Sequence, residues 1–267
     1  MHGSEPARVI DFASAAIFVE REIISIDADI IDWGEHHYQV YQPSANITYT
    51  PTVTRYAQEI LPVLARAGRR NLLLEAIPTG SEVQAEINWF YWDQNRQINA
   101  ANTPFLWRSI QGNDSDGFLL LFNEARRLGV DIYGGGLTVE QARNTIWRGD
   151  YLQRNDFRRL AAGWVTQNMR DRVDELRRNH PGIRLDIYGG CAHNNIFVTA
   201  EDLGRGRNYG EYFRSRFGRR YVVVDLITPY DPPVSTCHAR RPNRLSQRGV
   251  TVVNDFTSSY TLFFLQN

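Results

Sequence analysis

Residues 28–37, with the sequence ADIIDWGEHH, decide the fold that we expect for this chain. The segment begins with an apolar run that is polar only at Asp29 and Asp32, and it ends in Gly-x-x-His. Residues 183–193 (IRLDIYGGCAH) repeat this order. Each segment is typical of a buried strand followed by a turn, and buried strands of this kind belong to parallel sheets.

The repeat predicts a site. The carboxyl ends of parallel strands meet at one edge of a sheet, where ligands bind. We therefore expect Glu35, His37 and His193 to lie together, although 156 positions separate the two histidines. A single histidine or glycine of this kind is more often a surface residue or a plain turn.

A further carboxylate, Glu75, follows the apolar run at residues 72–74. A glutamate directly after a buried strand is costly unless it is paired or functional. Glu75 is therefore the fourth candidate of the site. We expect Asp32 and Asp186, by contrast, to make buried structural hydrogen bonds.

Length, composition and charge limit the classes of protein to which this chain can belong. A chain of 267 residues that is 42% hydrophobic can bury a large core, and we expect one domain over residues 1–267. The formal net charge is zero, which disfavours a nucleic-acid partner despite the arginines of residues 214–220. No apolar run reaches the roughly 18 residues of a membrane span, and the first residues do not resemble a signal peptide. We expect a soluble protein.

Cysteine and lysine are both informative. Two cysteines, Cys191 and Cys237, provide neither a disulfide framework nor a thiolate zinc site. The sequence does not decide whether they pair, and we expect a reducing compartment by default. All 30 basic residues are arginine. High-GC codon usage explains this. Alternatively, a protein that works inside a eukaryotic cell avoids ubiquitin attachment by lacking the acceptor amines of lysine.

Alternating strand and helix patterns predict an α/β fold with a mostly parallel sheet, helices on both faces and a C-terminal antiparallel hairpin. Helical spacing after Pro51, a helix with Thr138 as its cap and the hairpin are the local signals. We expect a helical, lid-like insertion around residues 81–127. The expected strands are residues 28–33, 71–77, 130–133, 183–188 and 221–227, with hairpin strands at 250–254 and 260–265; the expected helices include residues 81–99, 118–128, 139–147, 150–179 and 196–217.

The order of these motifs resembles the superfamily of erythromycin esterase, the ChaN haem-uptake protein and the Tiki proteases. It consists of strand-Gly-Glu-x-His, strand-Leu-Glu, strand-Tyr-Gly-Gly and strand-Gly-x-x-His, and it spans residues 28–196. The resemblance implies that Glu35, His37, Glu75 and His193 form the polar cluster of a cleft. Some members are domains of bacterial toxins or effectors that act inside host cells, including a protease that cuts Ras-type GTPases.

This chain departs from the family in three places. Gly135 or Gly136 stands where members often have an acidic residue, and Gln167 stands where members often have a basic residue before the asparagine of the long helix. Glu35 and His37 are two positions apart, whereas the macrolide esterases use Glu-x-x-His. The Tiki, ChaN and GTPase-protease branches therefore fit better.

The candidate residues suit hydrolysis of a peptide, ester or amide bond. A water held between a histidine and a glutamate can be deprotonated and delivered to a carbonyl, with no cofactor. The same set could instead hold a divalent metal through Glu35, His37 and His193. A nucleophilic Cys191 beside His193 is a weaker alternative. We assign substrate contacts to His36, Tyr133, Tyr188 and Asn194.

Two alternative hypotheses of function involve no catalysis. In a ChaN-like protein the cleft would hold haem or a small ligand against aromatic residues such as Trp33, Tyr133 and Tyr188. In a non-catalytic effector the same residues would only be recognised by a host partner. The expected substrate or partner is thus a small molecule or a protein, including a host protein, which this chain would meet in the host cytosol or in the bacterial cytoplasm.

Overall fold

The computed structural model describes residues 8–35, 50–111, 114–150, 154–191, 193–194, 208–227, 249–256 and 259–264. Their strands form one eight-stranded sheet in the order β1-β7-β8-β6-β2-β5-β3-β4. Pairings of β7 with β1 and with β8 are antiparallel, and the other pairings are parallel. The strands are β1 (Arg8–Phe12), β2 (Ile30–Glu35), β3 (Asn71–Leu74), β4 (Asp131–Gly134), β5 (Leu185–Gly190), β6 (Tyr221–Ile227), β7 (Val250–Phe256) and β8 (Ser259–Phe264).

Helices flank the sheet. One π-helical turn, Val19–Ile23, follows the first α-helix, and another, Tyr56–Ile60, joins the second α-helix to the third. Short 3-10 turns lie at Ile24–Ile26 and Gly218–Arg220. None of the helices among the described residues is long and apolar enough to cross a membrane. The α-helices are α1 (Ala15–Phe18), α2 (Thr52–Arg55), α3 (Leu61–Arg66), α4 (Ser81–Trp92), α5 (Pro104–Gln111), α6 (Ser115–Leu128), α7 (Val139–Asn144), α8 (Asn155–Asn179) and α9 (Gly210–Phe217).

Two apolar clusters cover the two faces of the sheet. Side chains alternate along each strand, so Leu72 and Leu74 belong to the first cluster while Leu73 belongs to the second. The first cluster includes residues of α1 to α6, and the second includes residues of α8 and α9. The expected α/β fold with helices on both faces is confirmed.

The helices of the segment expected to be lid-like pack on the sheet. Val83 of α4, Leu106 of α5 and Phe118 of α6 are buried in the first cluster. Their apolar sides pack against the sheet, because apolar residues recur at helical spacing and the strand residues of the first cluster are apolar. The segment thus forms part of the cover of the first face.

Several boundaries differ from those expected. The second strand runs to Glu35 and the fifth to Gly190, so Gly34 and the pair Gly189-Gly190 lie inside the sheet. Helix α4 ends at Trp92 because Asp93 is extended, well before residue 99. The C-terminal hairpin is confirmed, but β8 also pairs in parallel with β6, which was expected to be the last parallel strand. Strand β1 was not predicted.

A buried ion pair holds the amino-terminal ends of the central strands together. Arg69 Nε lies 3.1 Å from Asp186 Oδ2, and both side chains are buried. Arg69 also donates to the carbonyls of Ala28 and Leu185 at 2.7 and 2.8 Å, and Trp33 Nε1 donates to Asp186 at 3.3 Å. The structural role expected for Asp186 is confirmed.

Candidate active site at the carboxyl edge of the sheet

Glu75 lies immediately after β3 and folds over the end of β5. Its amide donates to the carbonyl of Tyr188 at 3.0 Å, which continues the strand pairing by one residue. Its side chain lies over Gly189, where a Cβ would come within 2.4 Å of Glu75 Oε2. The glycine at this position therefore makes room for the carboxylate.

Three groups surround the Glu75 carboxylate. The amide of Gly190 donates to Oε2 at 3.0 Å, and the hydroxyl of Tyr209 does so at 3.4 Å. On the other side, Oε1 lies 3.7 Å from His193 Nε2. Both the glutamate and the histidine side chains are about nine-tenths buried. The structure thus brings together two of the four expected catalytic residues.

The turn after β5 positions His193. Its amide donates to the carbonyl of Gly190 at 2.9 Å, and its carbonyl accepts from the amides of Tyr209 and Gly210 at 2.9 and 3.2 Å. The imidazole stacks on the ring of Tyr209, with 6.1 Å between centroids. Burial and the nearby Asp32 and Glu75 carboxylates raise the pKa of Tyr209 well above its usual value, so its hydroxyl stays protonated as a donor.

Asn194 lies beneath this turn. It is fully buried, and its amide nitrogen lies 3.4 Å from Asp32 Oδ1 and 3.4 Å from Asp225 Oδ1. Its side chain therefore joins the turn to β2 and β6, and it does not face an open cleft. The substrate contact expected of Asn194 is replaced by a structural one, because its side chain is fully buried against Asp32 and Asp225.

Asp32 is fully buried, as its expected structural role requires. It accepts a hydrogen bond from Tyr221 at 2.8 Å. Burial raises its pKa well above the usual value, the nearby Glu75 and Asp225 carboxylates add to the rise, and hydrogen bonds from Tyr221 and Asn194 oppose it. The carboxylates of Asp32, Glu75 and Asp225 thus lie close enough to one another to interact electrostatically.

Glu35 ends β2 at the same edge but on the other face. It follows Trp33 of the first cluster by two positions, whereas Glu75 follows Leu73 of the second cluster by two. Its Oε2 accepts from the hydroxyls of Tyr188 at 2.5 Å and Thr52 at 3.2 Å. Strand β5 separates β2 from β3, so the two glutamate Cα atoms lie about 10 Å apart across two strand spacings.

The remaining expected site residues lie elsewhere. Tyr188 and Trp33 are 1% and 0% exposed, so they belong to the core and do not line an open cleft. Tyr133, on edge strand β4, lies beside Arg172 and lines a cavity of about 250 Å³ between α4 and β4. His36 and His37 lie outside the described residues.

The structure also bears on the cysteine and metal chemistry expected at this site. Cys191 is disulfide-bonded, so its sulfur is not available as the thiolate of a Cys-His pair. The other cysteine, Cys237, lies outside the described residues. Among the described side chains, no group of three or more His, Cys, Asp or Glu residues is arranged to hold a metal ion. The metal set expected from Glu35, His37 and His193 includes a residue outside that part of the chain.

Sequence reasoning missed Tyr209, Thr52 and Asp225. Tyr209 and Asp225 sit on elements that carry no Gly-x-x-His motif, and Thr52 lies at the start of a helix. Asp225 had one available signal, since it is the polar residue inside the apolar run of β6. Tyr209 and Thr52 had no such signal, because packing of helices on the sheet determines their positions.

No protein-family model matches this chain, and no curated protein does. Similar solved structures include RRSP, a MARTX toxin effector domain from Vibrio vulnificus CMCP6 (17% identity, 65% of this chain and 30% of that one, TM-score 0.43). They also include the type III effector HopBA1 (13% identity, 100% of both chains, TM-score 0.46). A third is ChaN of Campylobacter jejuni, a structure of cofacial haem binding (12% identity, 93% and 92%, TM-score 0.49). This chain spans less than a third of the length of the RRSP structure.

Proposed function

We propose that this protein is a hydrolase of a peptide, ester or amide bond, with Glu75 and His193 as its central acid-base pair. One observation carries the proposal: a buried carboxylate, fixed by a backbone amide, faces a buried imidazole at 3.7 Å at the carboxyl edge of a parallel sheet. Ligand sites of α/β proteins lie at this edge. Buried acid-base pairs of this kind are costly unless they are used.

The pair suits activation of water. Glu75 Oε2 accepts hydrogen bonds from the Gly190 amide and the Tyr209 hydroxyl, while Oε1 faces the imidazole of His193 at 3.7 Å. In the proposed reaction, His193 takes a proton from water as the hydroxide attacks the carbonyl carbon. The imidazolium then returns that proton to the leaving nitrogen or oxygen as the bond to it breaks. No side-chain nucleophile is needed.

Glu35 and His37 complete the proposed catalytic set. Glu35 brings a second carboxylate to the same edge, and His37 follows it by two positions in the chain. We assign to this pair the polarisation of the carbonyl or the protonation of the leaving group. His36 and Tyr133 remain proposed substrate contacts.

Peptide libraries and chromogenic esters and amides test the proposal with purified protein. We expect Glu75→Gln and His193→Ala each to lower kcat/KM by about 100-fold or more, because acid-base groups contribute on that order. Glu124→Gln and His180→Ala are matched controls, since His180 is exposed at the C-cap of α8 and Glu124 lies on α6, where it pairs with Arg127. Hydrolysis that survives Glu75→Gln and His193→Ala unchanged would overturn the assignment.

The same protein samples decide between hydrolysis and the two alternatives. Retained zinc or manganese, with activity that a chelator removes, would identify a metal hydrolase. A Soret band after haem addition, lost in His193→Ala, would identify a ChaN-like binding protein. Absence of any turnover, with a host-cell response that persists in Glu35→Ala and His193→Ala, would identify a non-catalytic effector.

We further propose that the site of action is the cytosol of a host cell. The absence of lysine in a chain with 30 basic residues supports this, because lysine amines are the acceptors of ubiquitin. The substrate would then be a host protein or a small molecule of the host. Delivery of a tagged protein into cultured cells, followed by fractionation, tests the location.

A further inference from the structure

Tyr188 contacts both glutamates of the candidate site. Its hydroxyl donates to Glu35 Oε2 at 2.5 Å, and its backbone carbonyl accepts from the amide of Glu75 at 3.0 Å. The residue lies on β5, between the strands that end in these two glutamates. A single side chain and its own peptide unit therefore relate the positions of the two carboxylates.

Packing fixes the ring of Tyr188. It is 1% exposed, its centroid lies 4.8 Å from that of Tyr56, and it meets Phe118 edge-on at 6.4 Å. A buried ring held from two sides has one orientation available, so its hydroxyl is a rigid donor. Thr52, the first residue of α2, donates to the same oxygen of Glu35 at 3.2 Å.

An alternative interpretation is that the Tyr188–Glu35 contact is purely structural, because a buried tyrosine hydroxyl needs a hydrogen-bond acceptor. The neighbouring Tyr56 argues against this. It is fully buried in the same stack, and its hydroxyl has no hydrogen-bond partner among the described residues. Within the described part of the core, one tyrosine hydroxyl thus lacks a partner while the other is directed at the carboxylate of Glu35.

We propose that Tyr188 and Thr52 are positioning residues that fix the Glu35 carboxylate in one orientation and so set its geometry relative to Glu75. The proposal rests on the proposed function, because it gives Glu35 a part in that reaction. Tyr188 itself does not touch substrate, since it is enclosed by the core. It acts through Glu35, which is half-buried at the strand end.

Two conservative pairs of variants test the proposal. Tyr188→Phe removes the hydroxyl that binds Glu35, and Tyr56→Phe removes the other buried hydroxyl of the same stack, which has no partner in the described part of the chain. We expect Tyr188→Phe to lower kcat by about 10-fold or more with KM changed less than about 2-fold, since misplacing a reacting group affects the chemical step. Tyr56→Phe should keep both constants. Thr52→Val should lower kcat, and Thr52→Ser, which keeps the hydroxyl, should restore most of it.

A spectroscopic measurement tests the contact without any substrate. A buried hydroxyl proton shared with a carboxylate exchanges slowly and gives a downfield proton NMR signal. We expect that signal to vanish in Tyr188→Phe, to move in Glu35→Gln and to be unchanged in Tyr56→Phe. Urea unfolding of each variant establishes that it is folded.

The outcomes separate this proposal from the proposed function. If the wild type hydrolyses a substrate and Tyr188→Phe is as fast, or if Tyr188→Phe and Tyr56→Phe lose the same activity, the positioning role is wrong and the hydrolase stands. If Glu35→Gln leaves the hydroxyl signal in place, the contact itself is wrong. If the wild type hydrolyses nothing in the panel, the proposed function is wrong, and the positioning role is wrong with it.

Discussion

Glycines at the ends of β2 and β5 make room for the polar groups of the site. A Cβ at Gly34 would lie 2.5 Å from Asn194 Nδ2, 2.6 Å from Asp225 Oδ1 and 2.9 Å from Cys191 Cα. The last of these atoms is backbone and cannot rotate away. Gly34 and Gly189 therefore each have a packing reason that is independent of turn geometry, since both lie inside strands and a Cβ would collide with a neighbour.

Gly34→Ala should consequently destabilise the protein by about 1–3 kcal/mol, the usual range for overpacking. It should also displace the turn that carries His193. Gly163→Ala is the matched control, because a Cβ there meets nothing within 4 Å and the residue lies inside helix α8. That change should stabilise by about 0.5–1 kcal/mol. Urea unfolding of both variants checks the two signs, and an equal effect at the two positions would contradict the packing argument.

The buried Asp32 predicts a pH dependence of stability. Burial raises its native pKa, and neighbouring carboxylates add to the rise. A raised native pKa means that the folded protein binds this proton more tightly than the unfolded chain does. Protonated Asp32 therefore contributes to the free energy of unfolding. This contribution is fully present below the unfolded pKa of about 3.9, and it is lost as the pH rises through the native pKa.

Asp32→Asn cannot ionise, so it should gain stability relative to the wild type as the pH rises from about 4 to about 8. Its hydrogen bond from Tyr221 can be kept, because the side-chain carbonyl of asparagine is also an acceptor. Urea unfolding across that pH range measures the difference. A difference that is constant with pH would show that Asp32 has the same pKa in both states.

At the scale of elements, hydrophobic patterns predicted the central strands, the helices between them and the hairpin. The capping box of Thr138 and Gln141 confirms the cap expected for α7. Strand β1 was missed because its five residues show only partial alternation and little burial. The boundaries of β2 and β5 were placed too early, because glycine normally signals a turn and here it serves packing inside a strand.

Alignment of the central strands depends on the Arg69–Asp186 pair. Arg69→Met should cost about 3–5 kcal/mol, because it leaves a buried carboxylate and two carbonyls without their donor. Arg70→Met is the control, since Arg70 is the adjacent arginine and is exposed. Thermal and urea unfolding measure both changes. If the two variants were equally stable, the pair would not hold the strands.

At the scale of the whole molecule, the sequence placed Glu35, Glu75 and His193 at one edge, and that follows from parallel strands alone. The sequence did not show whether these three side chains lie on the same face of the sheet or on opposite faces. The face depends on one residue of strand register, and register is set by contacts such as Arg69–Asp186 that join distant segments. Asn194 and Tyr188 were expected to contact substrate in the cleft, and their burial could not be foreseen because it depends on segments from elsewhere in the chain.

The proposed host-cell location gives a prediction for the intact protein. Arg159→Lys with Arg219→Lys adds two exposed amines and should change stability by less than about 0.5 kcal/mol. We expect the variant to be ubiquitinated and to have a shorter lifetime than the wild type in host cells. Pulse-chase measurement compares the two lifetimes. Equal lifetimes without ubiquitination of either protein would make codon usage the sufficient explanation.

The central claim is that Glu75 and His193 act as one unit, and a double-mutant cycle on kcat/KM tests it most directly. Groups that act together show strongly non-additive losses. We expect the double variant Glu75→Gln/His193→Ala to be no slower than His193→Ala alone, within about 3-fold, on whichever substrate the wild type cleaves. Losses that multiply in the double variant would show that the two residues act independently, and would contradict the account.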